Sequence, residues 1–119
     1  MSAAPLGNWD EDEAFALTLP GTERGTSYRM PTVKLVANGR GFVWTGHEAE
    51  TSFAIWAEPG DVEMLIETGP GTFWQSPHYA ASNAVLVRYA SDDPERVRHR
   101  IEQSYLLVAA MKPARKRRK

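Results

Sequence analysis

The apolar residues of this chain fall into blocks of helical and of extended spacing that follow one another. Trp9, Phe15, Ala16 and Leu19 share one face of a first helix, interrupted by Asp12. Asn8 stands where a side-chain cap belongs, and the carboxylates of Asp10, Glu11, Asp12 and Glu13 meet the positive end of the helix dipole. Pro20-Gly21 ends the helix. Extended spacing takes over in the stretch that follows. Val33 and Leu35 alternate with Thr32, Lys34 and Val36, and Asn38-Gly39 is a hairpin signal because both residues tolerate positive φ. Residues 42–45 form the return strand, residues 46–50 a polar turn, and residues 51–57 a further strand. In that strand Phe53 and Ile55 alternate with Ser52, Ala54 and Trp56.

Helical spacing returns after Pro59, with Val62, Leu65 and Ile66 on one face and Gly69 as the C-terminal cap. Two strands come next, at residues 72–75 and 84–90, the second with Val85, Val87 and Tyr89 on one side. Asp93-Pro94 opens the last helix, whose stripe is Val97, Ile101, Tyr105, Val108 and Met111. The predicted order is α-β-β-β-α-β-β-α. This is an α+β domain of two layers, a mostly antiparallel five-stranded sheet with its helices packed on one face. Residues 1–8 read as a loose N-terminal arm, 9–111 as the domain and 112–119 as a C-terminal tail.

Composition narrows the class. At 119 residues, with 42% hydrophobic and 24% charged positions, the chain fits one ordinary globular domain with one core. No apolar run approaches the roughly 20 residues of a membrane helix. The start has no basic, apolar leader, and a cytoplasmic location is expected. With no cysteine there is no disulfide framework, no thiolate metal site and no thiol nucleophile. Charge is divided unevenly. The net charge is −1, and the tail "KPARKRRK" alone contributes six positive charges, which leaves −7 for the rest. An acidic body repels a polyanion, whereas a dense basic tail attracts one.

A resemblance emerges from "LPGTERGTSYRMPTVKL" (residues 19–35), "FWQSPHY" (73–79), "AVLVRY" (84–89) and the closing helix. These segments resemble the MmcQ/YjbR family, whose domain is grouped with frataxin/CyaY-like or secretion-chaperone-like folds. The likeness spans roughly residues 15–108. It implies the same element order that the periodicities indicate independently. For function it implies a DNA-binding label tied to a double-wing shape, and no defined catalytic motif.

Catalytic chemistry finds little footing in these residues. Nucleophilic hydrolysis needs a hydroxyl, a His base and an orienting acid brought together. His47, His78 and His99 fall in a turn, a corner and a helix, and no GxSxG elbow is present. Ser76 and His78 in extended chain point the same way but stand about 6.6 Å apart. Paired histidines at metal-binding spacing are absent, and the four acids of the first helix spread around it rather than converge. Gly39-Arg40-Gly41 is a hairpin rather than a phosphate loop. No enzyme activity, cofactor or metal is therefore expected.

The leading expectation is non-enzymatic DNA binding through phosphate contacts, salt-dependent and without base readout. Its contacts would be Lys112, Arg115, Lys116, Arg117, Arg118 and Lys119 of the tail, with Lys34, Arg40 and Arg88 from the sheet and its hairpins. Tyr28, Trp74, His78 and Tyr79 could border a groove, or Pro77, His78 and Tyr79 could simply form a turn that buries the tyrosine ring. Two alternatives stay open. One is a protein- or peptide-interaction module or homodimer using a helix-free sheet face that exposes Trp44 or Trp56 with Val36. The other is a small-molecule site beside His78.

Overall fold

The computed structural model describes residues 7–27, 29–46, 49–89, 91 and 93–113. Its elements are α1 (Trp9–Ala16), β1 (Thr22–Ser27), β2 (Met30–Leu35), β3 (Gly41–Trp44), β4 (Ser52–Trp56), α2 (Pro59–Thr68), β5 (Phe73–Trp74), β6 (Ala84–Arg88) and α3 (Pro94–Ala109). The sheet has six strands in the order β1-β2-β3-β4-β6-β5, and every pairing is antiparallel. The expected five-stranded sheet gains a strand because residues 22–35 are two strands and not one. Ser27 pairs with Met30, so the chain reverses in two residues, with Arg29 at φ 69°. A non-glycine residue in that left-handed region carries no hairpin signature in sequence, unlike Asn38-Gly39.

Helix ends form as their residues dictate. The Asn8 side chain accepts the Glu11 N–H at 2.9 Å, and Glu11 Oε1 reaches back to the Gly7 N–H at 2.7 Å. Asp93 accepts the Arg96 N–H, Pro59 and Pro94 occupy first turns, and Gly69 closes α2.

All three helices contribute to one core, on one side of the sheet. From α1 it takes Ala16, from α2 Leu65, and from α3 Val97, Ile101 and Val108; the strands add Val33, Phe53, Ile55, Phe73, Val85 and Val87. β3 contributes two consecutive core residues. Val33 pairs with Val43 but Lys34 pairs with Gly41, which leaves Phe42 as the extra residue of a β-bulge. Phe42 and Val43 are therefore both fully buried, with the Phe42 ring 5.4 Å from Tyr105 of α3 at a 77° tilt. On the other edge of β3 the ladder with β4 stops at the Val43–Ile55 pair, and Ser104 of α3 bridges the strands beyond it. Its hydroxyl donates to the Phe42 carbonyl at 2.6 Å and accepts the Trp56 N–H at 3.0 Å. Without it two buried backbone groups would lack partners.

Asp12 is the exception in the apolar stripe of α1. It is fully buried, and neither carboxylate oxygen has a hydrogen-bond partner. Burial, with a smaller contribution from the Glu11 charge, pushes its carboxyl up to about 8. The nearby Tyr89 hydroxyl, also buried without a partner, is raised by burial and then by the Asp12 charge.

An aromatic groove on the open face of the sheet

Side chains alternate across a strand, so the residues between the core positions point away from the helices. Thr32, Lys34, Trp44, Ser52, Ala54, Trp56, Ala84, Leu86 and Trp74 all belong to this second face by register. Half of it is nonetheless sealed. Ser52, Ala54, Ala84 and Leu86 are at most 3% exposed although no helix covers them.

Their cover is the connection between β5 and β6, residues 75–83. It starts at the sheet edge and crosses β6 and β4 far enough for the Tyr79 hydroxyl to accept the Trp44 Nε1–H at 3.0 Å. Pro77 turns the chain, with the Tyr79 N–H donating to the Ser76 carbonyl and the Ala80 N–H to the Pro77 carbonyl. Gln75 pins the crossing from beneath. Its side-chain amide lies 3.2, 3.1 and 2.8 Å from the carbonyls of Tyr79, Ser82 and Ala84. "FWQSPHY" thus builds a roof over half of the open face.

Beyond the roof the face remains open as a groove of about 1060 Å³. Trp44, Trp56, Tyr79 and His78 wall one side, and Met30, Thr32 and Lys34 continue the floor. The rings form a contiguous cluster. Trp44 and Trp56 lie 4.8 Å apart at 45°, Tyr79 stands edge-on to Trp44 at 6.3 Å, and His78 edge-on to Tyr79 at 4.7 Å. Trp56 Nε1–H donates to the Gly41 carbonyl at 3.2 Å, so both indole N–H groups are already used within the protein. What the rings offer a ligand is carbon surface. Two glycines allow the close packing of the floor. A Cβ at Gly41 would fall 2.6 Å from Thr32 Oγ1, and one at Gly25 would fall 2.7 Å from Lys34 Cε.

The electrostatics of the two faces differ. Among the described residues, every carboxylate except Glu23 and Glu50 belongs to a helix or to a helix N-cap. Among the described residues no carboxylate lines the groove, and Lys34 places its ammonium there. The acidic net charge of the body is thus carried by the helical layer.

The structure brings together Lys34, His78 and Tyr79 with Trp44 and Trp56, the tryptophans expected on a helix-free sheet face, while Val36 does not line the groove. Trp74 does not line this groove. Its Nε1–H donates to Ser52 Oγ at 3.0 Å, and the Arg88 guanidinium lies 4.9 Å over its ring while donating to the Pro70 carbonyl. Arg40 sits in the β2–β3 turn and donates through Nε to the Lys112 carbonyl. Tyr28, His47 and the tail cations Arg115, Lys116, Arg117, Arg118 and Lys119 lie outside the described residues. Ser76 Oγ is buried without a hydrogen-bond partner, so it makes no bond to His78. The acids of α1 diverge, with Asp12 inward, Glu13 3.0 Å from Arg24 and Glu11 turned to Gly7. Trp44 and Trp56 could be placed on this face by alternation with Val43 and Ile55, but the roof that joins them to Tyr79 left no such signal.

Fold and face together define a two-layer α+β domain with one face closed by helices and an aromatic groove on the other. The chain belongs to the YjbR family, whose model matches residues 17–107. It is similar in structure to the Deinococcus radiodurans protein DR2400, a crystal structure with the family domain DUF419. The TM-score is 0.75 at 17% identity, covering 90% of this chain and 82% of that one, and at this identity the likeness speaks for the fold. No curated protein sequence matches the chain. Among the described residues, no helix is long and apolar enough to cross a membrane.

Proposed function

We propose that this domain binds single-stranded DNA, laying unpaired bases on the aromatic groove while cations hold the backbone. The observation that carries this reading is a groove walled by Trp44, Trp56 and Tyr79, floored in part by Lys34 and, among the described residues, lined by no carboxylate. Bases stack on such rings whatever their identity, and a duplex has no free base faces to offer. The helices favour a duplex partner little, because they carry most of the described carboxylates and the α3 arginines Arg98 and Arg100 are buried and paired with Glu95 and Asp61. The basic run from Lys112 to Lys119 supplies charges for phosphates, with Lys34 inside the groove and Arg40 on the adjoining β2–β3 turn. Non-enzymatic binding without base readout follows from this arrangement of stacking and charge.

Tryptophan fluorescence titrations with oligo(dT), repeated at several salt concentrations, test the reading. Stacking contributes about 1–3 kcal/mol per base, so Trp56→Ala is expected to weaken binding by about 5- to 150-fold with an unchanged salt slope. Equal affinity of the parent and of Trp44→Ala and Trp56→Ala would overturn it. Oligo(rU) in parallel distinguishes a DNA from an RNA partner. A second reading, an interface with another protein or a second copy, has one observation in its favour. Val36, Leu106 and Met111 are apolar and 60%, 57% and 40% exposed. A concentration-dependent dimer in sedimentation, indifferent to oligo(dT), would favour it.

A further inference from the structure

Gly25 stands in the middle of β1, opposite Thr32 of β2, which in turn stands opposite Trp44 of β3. A glycine inside a strand weakens it, and this one is not in the left-handed region that favours glycine. Its place is explained by space. A Cβ here would lie 2.7, 3.1 and 3.2 Å from Cε, Cδ and Nζ of Lys34, so the lysine stem rests flat on the bare backbone of β1. The ammonium is thereby set down in the row of Trp44, two strands over and roughly 10 Å away at about 4.8 Å per strand spacing.

This direction runs against the pairing. The residue directly opposite Lys34 is Glu23, which is exposed, and opposite charges so placed ordinarily attract. Among the described residues no ion pair joins the two; the ion pairs that form are those of Arg24, Arg98 and Arg100. Lys34 leans instead along the diagonal to Gly25, into the groove that Thr26, Thr32 and Trp44 line with it. An ammonium turned from the adjacent carboxylate towards an aromatic floor is presented to an anion from outside.

We infer that Gly25 is the positioning residue of a phosphate subsite in the groove, laying Lys34 away from Glu23 so that its ammonium meets the backbone of a strand whose bases rest on the rings. This rests on the single-strand reading above and adds where one phosphate is held. A side chain at position 25 would lift the lysine towards Glu23, and an internal ion pair would replace the external one. The displaced atoms are the far end of a flexible side chain, so the change costs the fold little.

Oligo(dT) titrations at several salt concentrations test the subsite. Lys34→Met is expected to weaken binding about 2- to 5-fold and to flatten the plot of log K against log[salt] by about 0.7, the share of one phosphate on a single strand. Gly25→Ala is expected to reproduce both changes with the lysine still in place, and adding Glu23→Gln to it should restore much of the lost slope. Oligo(dT) with an uncharged methylphosphonate backbone should bind the parent, Lys34→Met and Gly25→Ala alike. Gly25→Ala with the slope of the parent, or a double variant no better than Gly25→Ala, would overturn the positioning role, as would a loss that the uncharged oligomer shares. Lys34→Met leaves β1 untouched, and the parent's slope in that variant would remove the subsite itself. Each of these outcomes leaves stacking intact. Indifference of both oligomers to Trp56→Ala would instead be a failure of the reading beneath.

Discussion

The two faces of this sheet are made by the same strands and serve opposite ends. On the helical side Val33, Phe42, Val43, Phe53 and Ile55 are sealed from water, and their side chains carry no polar group. On the other side Thr32, Lys34, Trp44 and Trp56 alternate with those residues, and three of the four are only partly buried. Outside the bulge, neighbouring positions one residue apart thus belong to the closed or to the open face according to parity. The indole rings show how polar and apolar parts of one side chain divide on the open face. Their N–H groups are bound inside the protein, while their carbon surface lines the groove.

Truncations on the two sides sharpen this contrast most. Phe42→Ala should cost about 3–5 kcal/mol, because it empties a fully buried bulge position against Tyr105. Trp44→Ala, on the open side and half-buried, should cost about 1–2 kcal/mol despite removing a larger ring. Urea denaturation of both variants with unchanged m-values checks this, and equal losses would erase the distinction between faces.

A pH titration of stability probes the helical side further. Because the Asp12 carboxyl is held well above its usual range, the folded state keeps a proton that the unfolded chain gives up. The stability this contributes is present below 3.8 and is lost as pH rises towards about 8. Within that window the slope should approach about 1.4 kcal/mol per pH unit. Asp12→Asn should flatten it and leave the variant more stable than the parent at pH 8. An unchanged slope would mean that the carboxyl titrates normally.

The smallest expected effect is on the roof. Tyr79→Phe removes the acceptor of the Trp44 indole and should cost about 0.5–1.5 kcal/mol. Because the ring remains, oligo(dT) affinity should fall by no more than a few-fold. A loss as large as that of Trp56→Ala would show that the hydroxyl, and not the ring surface, faces the ligand.

Much of this arrangement was legible from local pattern. The helices of Val62/Leu65 and Val97/Ile101/Val108 follow from spacing and caps, and Asn38-Gly39 marks its turn unaided. Alternation also placed Trp56 opposite Ile55. The turn before Met30 was not legible, since Arg29 bears no mark of its left-handed backbone. Nor was the bulge at Phe42, which breaks the period of two and puts neighbours on one side. Within "FWQSPHY", Trp74 and Tyr79 look like partners in one groove, yet the pairing of β5 with β6 sends Trp74 to Ser52 and Arg88.

The sequence by itself determined the α+β class, the three helices with their ends and the parity of the strands without a bulge, because these depend on residues within a turn or two of one another. Only the tertiary structure decided that residues 75–83 would cross two strands to reach Trp44, that Ser104 would bridge β3 and β4 beyond the end of their ladder, and that Asp12 would be buried. It also decided that Asn38 and Arg40 would hold the chain more than sixty residues away, at Val108 and Lys112. Those outcomes rest on contacts between residues far apart in the chain, where the loss of loop entropy is offset only once the sheet and its helical layer have assembled.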